Sequence, residues 1–179
     1  KGLRQDLSSV YHANRSNLPF SPDAASAGRR ALKNLALSYL SILDDARCQA
    51  LAGQQFRDAD NMTDRMAALV VLNDREGEER DVALSDFYDN YKDDAIVIDK
   101  WLSLQATSSR LDTLDQVKRL MDHRVFSIKQ PNKVRALISA FCAGNPYRFH
   151  DPDGSGYRFL TDRILQLDPI NPQIAARLA

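Results

Sequence analysis

The chain has 179 residues, 44% of them apolar and 27% charged, a globular balance that argues against disorder. Its 24 Lys and Arg match its 24 Asp and Glu, so no net charge favours nucleic acid or an anionic membrane as partner. No apolar run nears the roughly 20 residues that cross a bilayer, and the first residues do not read as a signal-peptide core.

Taken in chain order, the apolar spacing is helical almost throughout. Ser21-Pro22 suits a helix start, followed by Leu32, Leu35, Tyr39 and Leu43 at steps of three and four. Asp44 or Asp45 restarts the pattern, with Leu51, Ala52 and Phe56 on one side. Asn61 caps a helix carrying Met62, Met66, Leu69 and Val70. After the charged break Asp74-Arg75-Glu76-Gly77-Glu78 come Ala83, Leu84, Phe87, Tyr88 and Tyr91. Two further segments carry Val97, Trp101, Leu104 and then Leu114, Val117, Met121. Val134, Leu137, Ile138 and Phe141 form a stripe that stops at Gly144-Asn145-Pro146. Tyr157, Leu160, Ile164 and Leu167 form the next, ended by Asp168-Pro169, and Asn171-Pro172 opens a last helix. Phe87, Tyr88, Tyr91 and Trp101 sit at helical spacing and read as core, not as a ligand cage.

No segment alternates as a strand would, so the expected fold is all-α. Helices joined by short polar breaks predict antiparallel neighbours, either a bundle or a solenoid of stacked pairs. The length suits one helical domain over residues 1–179. The chain opens at Lys1 and closes at Ala179 about two turns into a helix, which predicts an excised, C-terminally incomplete piece of a longer polypeptide. Cys48 and Cys142 lie far apart beside apolar or small residues and read as reduced thiols of a cytoplasmic protein.

Catalytic motifs are missing. His12, His123 and His150 have no second ligand at helical spacing and read as surface or capping residues, so no metal site is expected. There is no C-x-x-C pair, no G-x-S-x-G elbow and no phosphate loop. Asp151, Asp153, Ser155, Gly156 and Asp162 fall near the spacing of a calcium loop. Asp at the twelfth position is short for bidentate ligation, Arg158 takes a usually apolar place, and Pro152 stiffens the loop. A polar Gly turn before a helix near Tyr157 is the favoured reading.

Several islands carry a resemblance. They are Gly28-Arg29-Arg30-Ala31-Leu32-Lys33-Asn34, Asp60-Asn61-Met62-Thr63-Asp64, Asp99-Lys100-Trp101 and Leu104-Gln105-Ala106-Thr107. Pro131-Asn132-Lys133-Val134-Arg135-Ala136-Leu137 follows, then Phe141, Asn145-Pro146, Phe149-His150, Asp153-Gly154-Ser155-Gly156-Tyr157, and Asn171-Pro172-Gln173 with Ala176-Arg177-Leu178. In this order they resemble the C-terminal helical domain of the bacterial zinc aminopeptidase N family, thermolysin-like gluzincins.

That resemblance implies a superhelical, HEAT/armadillo-like solenoid arching over a zinc site that belongs to the catalytic domain of the same polypeptide. It implies a non-catalytic part of a metalloprotease that forms the substrate chamber and restricts entry to peptides with free N-termini. The family's H-E-x-x-H and glycine-rich exopeptidase motifs do not occur here, so no catalytic residue and no cofactor carries over. By resemblance, Arg135, Gln173 and Arg177 line the chamber toward the substrate's C-terminal side. Arg135 lies off the core stripe, and Gln173 and Arg177, four apart, share a helical face. Guanidinium groups suit peptide carbonyls and a terminal carboxylate. A free-standing helical-repeat scaffold that binds a protein partner is the alternative.

Overall fold

The computed structural model describes residues 2–16, 18–43 and 46–179, so Asp44 and Asp45, expected to restart a helix, lie outside the described residues. Among those residues the secondary structure is helical, with no strand. Two compact units divide the chain at residues 85 and 86, inside one helix. Residues 1–85 hold α1 (Gly2–Ala13), α2 (Ala24–Ser41), α3 (Ala46–Asp58), α4 (Met62–Asn73) and the first part of α5 (Glu78–Tyr91). Residues 86–179 hold the rest of α5 and then α6 (Ala95–Ala106), α7 (Thr113–Met121), α8 (Pro131–Val134), α9 (Ala140–Gly144), α10 (Pro146–Phe149), α11 (Ser155–Leu167) and α12 (Pro172–Leu178). A π-helical turn, Arg135–Ser139, joins α8 to α9 without a break.

In the first unit α1 packs on α2, α3 on α4, and α4 also on α2. The cap of α2 is Asp23, two residues later than Ser21. Its Oδ1 accepts from the Ser26 N–H at 3.0 Å, and the Ser21 hydroxyl donates to Oδ2 at 2.6 Å. These bonds hold the Asp23 carboxyl well below the usual carboxylate range. The buried face of α2 is also not the expected one. Lys33, Ala36, Leu37 and Leu40 are buried, whereas Leu32, Leu35 and Tyr39, with Leu43 just beyond the helix, are exposed.

The reason is a polar core. Lys33 Nζ donates to Asp64 Oδ2 at 2.7 Å, Asn34 Nδ2 to Oδ1 at 2.9 Å, and Asn61 Nδ2 to Oδ2 at 3.1 Å. Gln55 Nε2 donates to Asn34 Oδ1 at 2.8 Å and to the Asp64 carbonyl at 2.9 Å, and its Oε1 accepts from the Tyr11 hydroxyl at 3.0 Å. All four helices thus feed one network around a carboxylate. Burial opposes its charge, but the Lys33, Asn61 and Asn34 hydrogen bonds prevail and lower its pKa. Asn61 caps α4 as expected, its Oδ1 accepting from the Asp64 N–H at 2.9 Å. Leu69 on α4 is buried, but Val70 is exposed.

The second unit closes on apolar and aromatic side chains. Phe87, Ile98, Leu102, Val117, Leu137, Ile138, Phe141 and Leu167 are almost wholly buried. Phe141 meets Phe149 and Phe159 edge to face, at 6.1 and 5.6 Å between centroids. Trp101, Tyr88 and His123 form a second ring cluster, with Tyr88 only half-buried. Polar side chains here tie up backbone ends. Asn145 Nδ2 donates to the Ala106 and Ser108 carbonyls at 3.0 and 2.7 Å, closing the C-terminal end of α6, while its Oδ1 caps α10. Gly156 lies against α10 so closely that a Cβ would stand 2.2 Å from the Phe149 carbonyl oxygen.

Candidate functional site

Within residues 133–138 of the 131–144 helix, one exposed residue stands amid buried neighbours. Lys133, Val134, Ala136, Leu137 and Ile138 are buried, and Arg135 between them is exposed. Its guanidinium donates to Asn132 Oδ1, one turn earlier. Two contacts with α6 flank it. Lys133 Nζ donates to Asp99 Oδ1 at 2.6 Å and to the Ala95 carbonyl at 3.3 Å, which ties α8 to the start of α6. On the other side the Ser103 hydroxyl lies 2.8 Å from the Ala136 carbonyl oxygen.

The π turn explains that second contact. The Ala140 N–H donates to the Arg135 carbonyl, five residues back, and to Leu137, passing over its α-helical partner, Ala136. Ala136 is a buried residue, and its carbonyl, bypassed by the helix ladder, needs another donor. Ser103 supplies one.

Gln173 and Arg177 are exposed on α12, which packs on α11. Asn171 caps that helix, its Oδ1 accepting from the Ile174 N–H at 3.1 Å, and Ala175 turns the opposite face inward. Among the described residues neither the Gln173 amide nor the Arg177 guanidinium meets a side-chain hydrogen-bond or ion-pair partner. Gln173 and Arg177 thus share an exposed face of α12. No hydrogen bond among those described joins these two residues to Arg135.

The calcium-like segment is a capped turn. Asp153 Oδ1 accepts from the Ser155 N–H at 2.7 Å, and the Asp151 carbonyl from the Gly154 N–H at 2.9 Å. Gly154 takes a left-handed φ of 74°, and the close approach to Phe149 accounts for Gly156. Asp162 lines a cleft with Lys118, Arg158 and Arg163. Among the described residues no three His, Cys, Asp or Glu side chains are placed to hold a metal ion.

Of the histidines, His12 and His150 are exposed and His123 is half-buried. Burial, and then Arg124, lower the His123 pKa, and its Nδ1 accepts from the Val125 N–H at 3.4 Å. Tyr157 OH and His150 Nδ1 lie 2.6 Å apart, which keeps Tyr157 at the surface rather than on the buried stripe of α11. Both cysteines are free thiols. Burial raises the pKa of Cys48, whose Sγ donates to the Leu40 carbonyl at 3.1 Å, and pushes that of Cys142 up to about 12. Among the described residues no helix is long and apolar enough to cross a membrane. Sequence reading missed Asp99 and Ser103 as partners of the Arg135 segment. Asp99 stands inside one of the recognised islands, which was the available signal.

Residues 1–179 match the family described as a domain of unknown function (DUF3458_C) with ARM repeats. Over 176 residues the chain is 36% identical to aminopeptidase N of Escherichia coli, covering 98% of this chain and 20% of that protein. It is 43% identical over 162 residues to aminopeptidase N of Caulobacter vibrioides, covering 90% and 19%. A crystal structure of Legionella pneumophila aminopeptidase A in complex with aspartic acid superposes with a TM-score of 0.88 at 36% identity, covering 99% of this chain and 22% of that one. The chain thus spans about one fifth of the length of the curated relatives it matches.

Proposed function

The chain belongs to the DUF3458_C ARM-repeat family, a helical-solenoid domain of aminopeptidase N-type proteins, and on that premise we propose how it serves the whole enzyme. Residues 1–179 act as one non-catalytic helical domain, part of a C-terminal domain that covers the active site of a cytoplasmic, zinc-dependent aminopeptidase. The zinc belongs to the catalytic domain of the same polypeptide, which is the first partner of this one. The domain walls the substrate chamber and restricts entry to peptides with free N-termini.

The observation that carries this reading is the set of exposed cationic and amide groups at the recognised positions. Arg135 is exposed between buried neighbours at 133, 134 and 136–138, and Gln173 and Arg177 share an outer face of α12 with no side-chain partner among the described residues. A peptide fixed by its amino end offers carbonyls and a carboxylate beyond the scissile bond, and fixed guanidinium donors suit both. The two free thiols fit a reducing compartment.

In the full-length enzyme, Arg135→Ala and Arg177→Ala should lower kcat/KM for a pentapeptide by roughly tenfold and for an aminoacyl reporter amide by about twofold or less. Equal losses on both substrates would remove these residues from the chamber wall. The exposed apolar face of α2, with Leu32, Leu35 and Tyr39, favours a second reading, a scaffold that binds a separate protein. Charged substitutions on that face separate the two. If the face packs within the polypeptide they lower the stability of the full-length enzyme; if it serves a separate partner they leave it unchanged.

A further inference from the structure

We infer that Ser103 is a positioning residue for Arg135, acting by stabilising the π-helical turn on which Arg135 stands. This rests on the proposed role of Arg135 and adds to it the device that aims its side chain.

An α-helix advances about 100° per residue, so a single extra residue in one turn rotates everything before it by about that angle relative to everything after it. In this helix Phe141 after the turn and Val134 before it are both held in the core, and the extra residue sets the angle between their faces. The direction of Arg135 therefore depends on whether the turn is π or α. Reversion to α would restore the Ala140 N–H to the Ala136 carbonyl and take the Arg135 carbonyl out of that bond. What opposes reversion is an outside donor to Ala136. Ser103 has a single hydroxyl hydrogen and two carbonyl oxygens in reach, Ala136 at 2.8 Å and Asp99 at 2.9 Å. Asp99 lies in the first part of α6, where the Ser103 N–H already serves its carbonyl as an ordinary helical bond. The hydroxyl is therefore needed at Ala136. The Lys133–Asp99 ion pair at 2.6 Å holds the preceding turn, so Arg135 is clamped to the same helix, α6, on both sides.

The test compares Ser103→Ala, Ser103→Thr and Arg135→Ala in the full-length enzyme, using kcat and KM for a pentapeptide and for an aminoacyl reporter amide, and a crystal structure of Ser103→Ala. Ser103→Ala should raise the pentapeptide KM by roughly fivefold relative to the reporter, Ser103→Thr should restore it, and the crystal structure should have an α turn with Arg135 redirected. A selective loss for Arg135→Ala with none for Ser103→Ala overturns this inference and leaves the proposed function standing. No selective loss for Arg135→Ala removes the proposed role of Arg135; the crystal structure then decides the turn alone. An unchanged π turn in Ser103→Ala, or equal losses on both substrates that Thr does not restore, overturns the positioning role.

Discussion

Residues 1–85 and 86–179 reach stability by different means. The first unit surrounds a buried carboxylate, Asp64, with donors from α2 and from the Asn61 cap of α4, and extends through Gln55 of α3 to Tyr11 on α1. The second interlocks aromatic rings; apart from the Lys133–Asp99 pair, its polar side chains largely serve backbone ends, as Asn145 does at α6 and α10. A polar core specifies which faces meet, because a misplaced donor is costly, and it leaves the unit sensitive to charge. A ring core depends on volume and is sensitive to cavities instead.

The largest test of that contrast is Phe141→Ala. Its ring is fully buried between Phe149 and Phe159, so truncation should cost about 3–5 kcal/mol in urea unfolding, and the same amount at pH 7 and pH 3. Asp64→Asn comes next, at about 3 kcal/mol at pH 7, since it leaves the Lys33 ammonium buried without its counter-charge. Unlike the first, this cost should shrink in acid. The folded Asp64 pKa lies below its ordinary 3.8, so its contribution is complete above that value and is lost as pH falls through the lower folded one. A cost for Asp64→Asn that is as large at pH 3 as at pH 7 would break the comparison.

The smallest effect belongs to the second unit and a different pH window. His123 has a folded pKa below its ordinary 6.5, so the stability it contributes is present above that value and falls as pH drops toward the folded one. His123→Asn should remove that shallow step below pH 6.5 and leave the Asp64 step in place. If the variant keeps the His123 step, the ring cluster is not its source.

The same contrast explains what could be read from sequence. The all-α class, the Asn61 cap and the Val134–Phe141 stripe were legible because they depend on local spacing. The buried face of α2 was not. That helix carries two sets of residues at steps of three and four, and the more apolar set, Leu32, Leu35 and Tyr39, is exposed. The other set begins with Lys33, which reads as a solvent residue until Asp64, 31 positions later, is placed beside it. Distance in sequence also hid the π turn, since the donor to Ala136 is Ser103 on another helix. Gly156 fitted a calcium pattern by spacing, yet its absent side chain answers to the Phe149 carbonyl. Arg135, Gln173 and Arg177 were found through resemblance; their exposure is what the structure adds.

The state of the two thiols has a practical consequence. Cys48 is buried and Cys142 holds its proton up to about 12, so neither offers much thiolate at neutral pH. A cysteine introduced at the exposed Gln173 would react first with a maleimide, with both native thiols left in place. A single fluorophore or spin label on α12 could then test whether a peptide reaches that face in the full-length enzyme, without a cysteine-free background to build.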